Sequence, residues 1–383
     1  MTQQTSSQTQ ELQASPAGRQ DCCQDLPPVP MRQSFRDFAP YDPGFTPVDV
    51  LLSANENTYG VPAPVQQLMV QAVANQAFNR YPDPMSNALR DAIASWQGHG
   101  LTRGNVCVSN GGDELLFNLL LAFGGPDGMP LINCIPTFSV YKLYAQLTGT
   151  PCVDVPRTAD FDVDTQAVEA AMGNGGIVVL TSPNNPTGNL VDPVWVQRLA
   201  QANPTSLILV DEAYIEFASP QASCTPLVTS CRNVACLRTF SKAFCLAGVR
   251  CGYLLADPAV IDGLSAVRQP YSVDVAAQAI AQVAVEHAEA FQPAIRAIMA
   301  SRDEAIARIG AIPGCVAYPS DANFILVRVP HAHQVWCQLR DCCSILVRDF
   351  SGTPGLEDCL RITVGTPEEN DRVIAALAQI VKE

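Results

Sequence analysis

Short apolar runs rich in β-branched residues alternate with segments of helical periodicity from about residue 50 onward. Three of these runs are almost continuously apolar: GIVVLTS (176–182), SLILVDE (206–212) and NVACLRT (233–239). Runs of this kind are typical of strands buried on both faces of a parallel sheet. Because strands and helices alternate without an internal repeat, the pattern predicts an α/β fold with a mainly parallel central sheet.

The pattern changes after about residue 265, where one long helical stretch over 274–310 precedes further strands. We predict these strands at FILVRV (324–329), ILVRDF (345–350) and CLRITVG (359–365). This second region has the composition of a smaller α/β domain at the C-terminal end of the chain.

The last helix has a clear start signal. Thr366 is suited to be its N-cap, Pro367 lies in its first turn, and Glu369 completes a capping box. Apolar residues then recur on one face, so we interpret this helix as structural.

Four segments follow from these patterns. We predict a flexible, Gln/Ser/Thr-rich tail over 1–30, an N-terminal arm over 31–50, a large domain over 51–265 and a small domain over 266–383. A chain of 383 residues is long enough for about two domains.

Composition and charge narrow the possible functions. Hydrophobic residues make up 48% of the chain and charged residues 16%, as in compact globular proteins. The formal net charge of −14 disfavours nucleic acid as a partner. The polar first twenty residues do not resemble a signal peptide, and no apolar run reaches about 18 residues. We therefore expect no membrane segment and a cytoplasmic location.

The chain has 15 cysteines, and we interpret them as free thiols because several lie in apolar runs. No C-x-x-C spacing occurs, and the pairs Cys22-Cys23 and Cys342-Cys343 lack the spacing of metal ligands. We predict no metal site.

Candidate chemistry begins with Lys242, which lies in the apolar segment LRTFSKAFCLAGVRCGYL. Burial and the nearby cations Arg238 and Arg250 would lower the pKa of its amine, so that the neutral form could attack a carbonyl. A lysine on a helix face with a solvated head is the structural alternative.

Asp211 follows the buried run LILV, so its carboxylate needs a positive partner. A protonated pyridine nitrogen would meet that need. Pyridoxal phosphate combines such a ring with an aldehyde for a lysine and a phosphate for backbone N–H groups and an arginine.

Residues for the phosphate are found in SNGGDELLFNLL, where Gly112 and Asp113 precede an apolar helix. Glycine turns are common, and this one is not a P-loop because no G-K-[ST] follows. Ser241 and Arg250 would complete an anion site with a hydroxyl and a guanidinium group.

The motif SPNNPTG (182–188) follows a buried strand and is at least a rigid turn. An Asn amide in this motif and Tyr214 could both donate hydrogen bonds to the phenolate oxygen of the cofactor. Phe138 could stack on its ring, although most such aromatic residues belong to a core.

Over residues 32–381 the chain resembles the fold-type I pyridoxal-phosphate aminotransferases, and within them the histidinol-phosphate aminotransferase branch. The motifs LLSANENTYG, NRYPDP, SPNNPTG, DEAYIEF, RTFSKAFCLAGVRCGY and CLRITVG occur in this order and carry the resemblance. It implies that Lys242 binds the cofactor aldehyde covalently, that Asp211 pairs with the ring nitrogen, and that Asn185 and Tyr214 contact the ring oxygen. It also implies a phosphate site formed by Gly112, Asp113, Ser241 and Arg250.

The resemblance implies further contacts with the substrate and a second subunit. Arg361 matches the arginine that binds the substrate's carboxylate or phosphate, with Arg348 and Tyr41 as additional anion contacts. Tyr81 in NRYP matches the residue that reaches the cofactor phosphate of a neighbouring subunit, which implies a homodimer with shared sites. Phe138 departs from the family because many members have a tyrosine there.

The implied reaction is transfer of an amino group from L-histidinol phosphate to 2-oxoglutarate, giving imidazole-acetol phosphate and glutamate, a step of histidine biosynthesis. Three alternatives remain open at this point. They are a threonine-phosphate decarboxylase-like lyase, an aromatic amino acid aminotransferase of the same fold, and a binding module that has lost turnover.

Overall fold

The computed structural model describes residues 29–36, 38, 46–173 and 175–382. The chain divides into two compact units, residues 1–42 and 43–383. In the first unit, a short 3-10 helix spans Gln33–Phe35 and the ring of Phe35 packs edge-on against Phe38. The predicted tail falls outside the described residues up to position 28.

The second unit carries thirteen strands and eleven α-helices in its described residues. The strands are β1 (Val50–Leu51), β2 (Val106–Ser109), β3 (Leu131–Ile135), β4 (Cys152–Pro156), β5 (Ile177–Thr181), β6 (Leu207–Asp211), β7 (Val234–Thr239), β8 (Gly252–Leu255), β9 (Val316–Ala317), β10 (Phe324–Arg328), β11 (Ile345–Leu346), β12 (Arg348–Asp349) and β13 (Cys359–Thr363). The helices are α1 (Ala63–Ala74), α2 (Asn87–Gln97), α3 (Gly111–Phe123), α4 (Val140–Thr148), α5 (Thr165–Met172), α6 (Pro193–Ala202), α7 (Pro258–Val267), α8 (Val275–Glu286), α9 (Gln292–Gly310), α10 (Ala332–Cys343) and α11 (Pro367–Ile380).

The largest sheet has seven strands in the order β2-β8-β7-β6-β5-β3-β4. Five neighbouring strands from β7 to β4 run parallel, whereas β8 is antiparallel to both β7 and β2. The predicted α/β fold with a mainly parallel sheet is confirmed.

Both faces of this sheet are buried, as the continuous apolar runs predict. In β5, Val178 and Leu180 join one hydrophobic cluster, whereas Ile177 and Val179 join a second. Successive side chains of a strand point to opposite faces, so the two clusters are the cores on either side of the sheet.

The C-terminal strands form smaller sheets. Four of them pair antiparallel in the order β12-β13-β10-β9, and β11 instead pairs in parallel with β1. The prediction of one strand over 345–350 is wrong, because this segment contributes to two different sheets. The backbone carbonyl of Val347, between β11 and β12, accepts a hydrogen bond from Trp336 Nε1 at 2.9 Å instead of from a neighbouring strand.

The helical stretch predicted over 274–310 is likewise interrupted. Helix α8 ends at Glu286, a 3-10 turn follows, and α9 begins at Gln292 with Pro293 in its first turn. A proline inside a continuous helix would clash with the preceding turn and lacks an N–H donor, so the helix restarts there.

Helix α11 begins as predicted. Thr366 accepts a hydrogen bond from the backbone N–H of Glu369, whose carboxylate accepts one from the N–H of Thr366. Val373 and Leu377 are buried on its inner face. The domain boundary near residue 265 stays a prediction. Among the described helices, none has the length and apolar character needed to span a membrane.

Candidate active site

The candidate site lies where three parallel strands of the large sheet end. Thr181, Asp211 and Thr239 are the last residues of β5, β6 and β7, and the segments SPNNPTG, EAY and FSKAF follow them directly. Ligands commonly bind outside the carboxyl ends of strands in open α/β sheets. The sheet therefore brings together the polar segments that the sequence singled out.

Lys242 follows β7, and its Nζ donates a hydrogen bond to the backbone carbonyl of Ala54 at 2.8 Å. Burial is the largest cause that lowers the pKa of this amine to about 8; the positive charges of Arg361 and Arg250 act in the same direction, and Glu56 opposes them. The side chain is partly buried, unlike the fully solvated lysine head of the structural alternative. A substantial fraction of the amine is neutral near neutral pH.

Arg238 does not act on Lys242 in the way that the sequence suggested. Its buried guanidinium group forms ion pairs with Glu212 at 2.8 Å and with Glu216 at 3.0 Å. These carboxylates neutralise its charge. Arg361, which is 119 positions further along the chain than Lys242, acts on the amine instead.

Asp211 is 5% exposed, and burial raises the pKa of its carboxyl group to about 6. Its Oδ1 accepts the backbone N–H of Ala213 at 3.1 Å, and its Oδ2 accepts the hydroxyl of Tyr141 at 2.6 Å. Both donors are neutral. The carboxylate thus lies in a dry environment that favours the approach of a cation.

Tyr141 is a residue of the candidate site that sequence reasoning missed. It lies on α4, three residues after Phe138 in IPTFSVY, and its ring packs edge-on against that of Phe138 with ring centres 5.6 Å apart. A second aromatic residue close to Phe138 in the sequence was the available signal. Its contact with Asp211 depends on tertiary packing between residues 70 positions apart.

Tyr214 and Asn185 have different hydrogen-bond partners in the site. The Tyr214 hydroxyl accepts a hydrogen bond from Asn55 Nδ2 at 3.1 Å, and its ring lies 5.7 Å from Lys242 Nζ. Asn185 is buried, and its Oδ1 accepts a hydrogen bond from Arg361 Nη1. Asn55 is a further residue that the sequence analysis did not name.

Arg361 joins the C-terminal strands to this site. It lies on β13 opposite Arg348 on β12, and its guanidinium group lies within about 5.5 Å of the ring centres of Phe324 and Phe350. A backbone carbonyl, that of Ser53, accepts a hydrogen bond from its Nη2. Two arginines on adjacent strands place positive charge at this edge of the site.

A cradle for an anion lies at the start of α3. Arg250 Nη1 contacts the hydroxyl of Ser241 at 3.5 Å, and its Nη2 pairs with Asp113 at 3.3 Å. A Cβ on Gly111 would lie 2.5 Å from Arg250 Nη2, so another residue there would displace the guanidinium group, and the φ of +79° favours glycine at this position. The sequence pattern contains both Gly111 and Gly112, and Gly111 is the glycine in contact with Arg250.

Two tyrosines predicted to belong to the site are not part of this cluster as the structure describes it. Tyr81 is 80% exposed and stacks on Tyr271 with ring centres 4.5 Å apart. Tyr41 lies outside the described residues.

The described residues fit the needs of pyridoxal phosphate. Lys242 offers an amine of lowered pKa, Asp211 a buried carboxylate whose direct donors are neutral, and α3 the backbone N–H groups of its first turn, which have no partner within the helix. No group of three or more metal-ligating side chains occurs among the same described residues.

Comparison with known proteins agrees with this geometry. The family described as aminotransferase class I and II matches residues 47–377. The chain belongs to this aminotransferase family. The histidinol-phosphate aminotransferase of Thermobifida fusca (strain YX) is 41% identical to this aminotransferase over 347 residues, which are 89% of this chain and 92% of the relative.

Solved structures show the same fold. The histidinol-phosphate aminotransferase of Sinorhizobium meliloti, crystallised in complex with pyridoxal-5'-phosphate, superposes with a TM-score of 0.80 at 28% identity, covering 88% of this chain and 91% of that one. The L-threonine-O-3-phosphate decarboxylase of Porphyromonas gingivalis gives a TM-score of 0.77 at 23% identity over 87% of this chain and all of its own. This second likeness concerns the fold alone. The predicted fold-type I architecture of the aminotransferase is confirmed.

Proposed function

We propose that this aminotransferase uses pyridoxal 5'-phosphate to transfer the amino group of L-histidinol phosphate to 2-oxoglutarate. The observation that carries the chemistry is that a partly buried lysine, whose pKa is lowered to about 8, follows one strand and a buried aspartate ends the neighbouring strand. The high coverage of relatives named histidinol-phosphate aminotransferase supports the choice of substrate.

The residues at the site define how the cofactor would be held. Asp211 would bind the ring nitrogen, Tyr214 and Asn185 the ring oxygen, and Phe138 one face of the ring. The phosphate would lie at the first turn of α3, bound by the residues Gly112, Asp113, Ser241 and Arg250. When bound, pyridoxal phosphate supplies an aldehyde for amines and a ring that accepts electrons from the substrate's Cα.

Lys242 performs two tasks in this proposal. Its neutral Nζ would be the nucleophile toward a carbonyl, and the free Nζ would act as the base that takes the proton from the substrate's Cα. Arg361 and Arg250 aid both tasks because their positive charges disfavour a protonated amine.

In its negatively charged form, Asp211 would favour a proton on the ring nitrogen of the bound cofactor. Attraction between two such charges is about 4 kcal/mol at 4 Å with an effective dielectric constant near 20. The surrounding apolar strands exclude water and strengthen this interaction.

Substrate anions would be bound by Arg361 and Arg348. Guanidinium groups bind carboxylates and phosphates through paired hydrogen bonds, which suits both the phosphorylated donor and the dicarboxylate acceptor. Tyr41 remains a substrate contact predicted from the sequence alone. The cytoplasmic location also remains a prediction.

A homodimer with shared active sites completes the proposal. Tyr81 and Tyr271 form an exposed aromatic pair, and a phenol hydroxyl there is available to a second copy of the chain. Exposed aromatic rings are enriched at protein interfaces.

A spectral half-reaction screen tests the substrate. The purified holoenzyme is mixed in turn with histidinol phosphate, threonine phosphate, phenylalanine and glutamate, and the cofactor's visible band is followed. We expect histidinol phosphate and glutamate to convert the band without release of carbon dioxide. Carbon dioxide release from threonine phosphate would favour the lyase, and a response to phenylalanine alone would favour an aromatic aminotransferase.

A further inference from the structure

A chain of buried hydroxyl groups leads away from Asp211. Asp211 Oδ2 lies 2.6 Å from the Tyr141 hydroxyl, which lies 2.8 Å from Thr181 Oγ1. Thr181 Oγ1 lies 3.1 Å from Thr137 Oγ1, which donates to Asn184 Oδ1 at 2.7 Å. Four contacts thus connect the aspartate at the end of β6 with the SPNNPTG segment.

The far end of this chain has a fixed orientation. Asn184 is fully buried, and its Nδ2 donates to the carbonyl of Pro136 at 3.1 Å and to Thr187 Oγ1 at 2.8 Å. Both amide protons are therefore used, so Oδ1 faces Thr137 as an acceptor that cannot donate.

Counting protons shows that the chain responds to the charge of Asp211. The three hydroxyl groups of Tyr141, Thr181 and Thr137 supply three protons for four contacts. If Asp211 is ionised, Tyr141 donates to it and Thr181 donates to Tyr141, which leaves the contact between Thr181 and Thr137 without a proton. That contact is the longest of the four, at 3.1 Å.

The opposite state satisfies every contact. If Asp211 carries a proton, it can donate to Tyr141, and each hydroxyl then donates to the next as far as Asn184 Oδ1. The direction of two of the hydrogen bonds is reversed between the two states. The contact of 2.6 Å with Tyr141 matches a charge-assisted hydrogen bond to an ionised carboxylate.

We propose that Tyr141, to which Thr181 donates, is a positioning residue whose charge-assisted hydrogen bond favours the ionised form of Asp211, and that this bond reverses its direction when Asp211 takes up a proton. Tyr141 is the one side chain among the described residues with a hydrogen bond to this carboxylate. Its role toward the cofactor rests on the proposed function, whereas its effect on the carboxyl group does not.

Two acidic residues near this chain of hydroxyl groups oppose the ionisation of Asp211. Asp113 on α3 and Glu212 beside Asp211 both raise the pKa of the Asp211 carboxyl group, and the Tyr141 hydrogen bond lowers it. Tyr214 and Arg157 are the other titratable groups that interact with Asp211 or Tyr141. Removing the Tyr141 hydroxyl therefore takes away the main side-chain interaction that favours the ionised form.

Infrared spectroscopy of the full chain without cofactor tests this role directly. The carbonyl stretch of a protonated Asp211, identified by its loss in Asp211→Asn, is followed against pH. In Tyr141→Phe we expect the midpoint of ionisation to move upward by about one to two pH units, as the loss of a charge-assisted hydrogen bond requires. Tyr144→Phe, a change on the same helix, is the matched control and should leave the midpoint in place.

Thr181 provides a second, milder test. Thr181→Val removes the donor to Tyr141 and should shift the midpoint in the same direction by less, whereas Thr181→Ser should restore it. An unchanged midpoint in Tyr141→Phe would overturn the proposal. If that variant failed to fold, an unchanged midpoint in Thr181→Val would overturn it instead.

Cofactor binding gives an independent readout. The dissociation constant for pyridoxal 5'-phosphate, measured by quenching of intrinsic fluorescence at pH 7, should increase about two- to tenfold in Tyr141→Phe, because the ionised fraction of Asp211 falls by that factor. It should stay unchanged in Tyr318→Phe, whose ring packs on Phe161. An unchanged constant would contradict the role toward the cofactor. If the wild-type chain bound no pyridoxal phosphate, the proposed function would fail, while the infrared midpoint would still decide the role of Tyr141.

Discussion

Lys242 differs from the other lysines of the chain in its surroundings. The sequence has three lysines: Lys142 is exposed and pairs with Asp154, and Lys382 is exposed near the C-terminus. The interaction with Asp154 raises the pKa of Lys142, whereas burial lowers that of Lys242 to about 8. A single chain thus contains a lysine of lowered pKa and a surface lysine of raised pKa for comparison.

The reactivity of Lys242 should follow its lowered pKa. Because the amine loses its proton as pH rises through about 8, about a tenth of it is neutral at pH 7, compared with less than a thousandth for an ordinary lysine. Borohydride trapping of pyridoxal at a series of pH values, followed by peptide mapping, should show labelling of Lys242 with a midpoint near pH 8. Lys142→Ala should leave this profile intact; a midpoint above pH 10 would contradict the assignment.

Arg361 should matter equally to both half-reactions, since one anion site would serve both substrates. We expect Arg361→Ala to raise KM for histidinol phosphate and for 2-oxoglutarate together, by about tenfold or more, because hydrogen bonds to charged groups contribute about 1.5–3 kcal/mol. Steady-state kinetics measures both values. Arg328→Ala, on the neighbouring strand β10 and exposed, is the control. An effect limited to one substrate would show that the two anions bind at different places.

The sequence indicated these residues because local context was sufficient. Lys242 and Asp211 stand out as charged side chains next to apolar runs, and burial is the largest cause of each pKa shift. Tyr141 and Asn55 could not be found in this way, because their partners are 70 and 159 positions distant and adjacency depends on how α4 and the N-terminal segment pack.

At the scale of elements, strands and caps that depend on nearby residues were predictable. Strands β5, β6 and β7 lie within one residue of their predicted limits at nearly every end. The predicted element limits were wrong where a distant residue or a backbone constraint determines the local structure. One predicted strand is interrupted at Val347, whose carbonyl accepts a hydrogen bond from Trp336. One predicted helix is interrupted before Pro293, which lies in the first turn of α9.

The capping box of α11 offers a test of element stability. Thr366→Ala removes the side-chain acceptor for the Glu369 N–H and should lower the free energy of unfolding by about 1 kcal/mol. Thermal or urea unfolding measures the change, and Thr366→Ser should retain most of the stability. The values of kcat should be the same in all three proteins, since this helix carries no proposed catalytic group; a lower kcat in Thr366→Ala would contradict its purely structural role.

At the scale of the whole molecule, the proposed shared site can be tested with two inactive variants. Lys242→Ala lacks the nucleophile, and Tyr81→Ala lacks the residue assigned to the neighbouring subunit's cofactor phosphate. If the sites are shared, a hybrid dimer contains one site in which both residues are intact. Mixing the unfolded variants and refolding them together should therefore restore activity that neither variant has alone.

A matched control makes this result specific. The control mixes Lys242→Ala with Arg361→Ala. Arg361 lies in the same subunit's site as Lys242. In this hybrid dimer each site therefore lacks one of the two residues, and forming the hybrid cannot restore a complete site. The recovered activity should be limited to what Arg361→Ala retains. Failure of the Tyr81 pair to gain activity, with dimers present in sedimentation, would contradict the shared site.

The close contact between Gly111 and Arg250 limits which sequences can encode this protein. A Cβ at position 111 would overlap the guanidinium group, and the backbone φ of +79° already disfavours any other residue, whereas a Cβ at Gly310 meets no atom within 4 Å. In a saturation library selected for growth that depends on this enzyme, codon 111 should return only glycine, while codon 310 should accept alanine freely. Position 111 would then appear in genetic data as one that tolerates no substitution. Such data would mark the proposed anion cradle without a bound ligand.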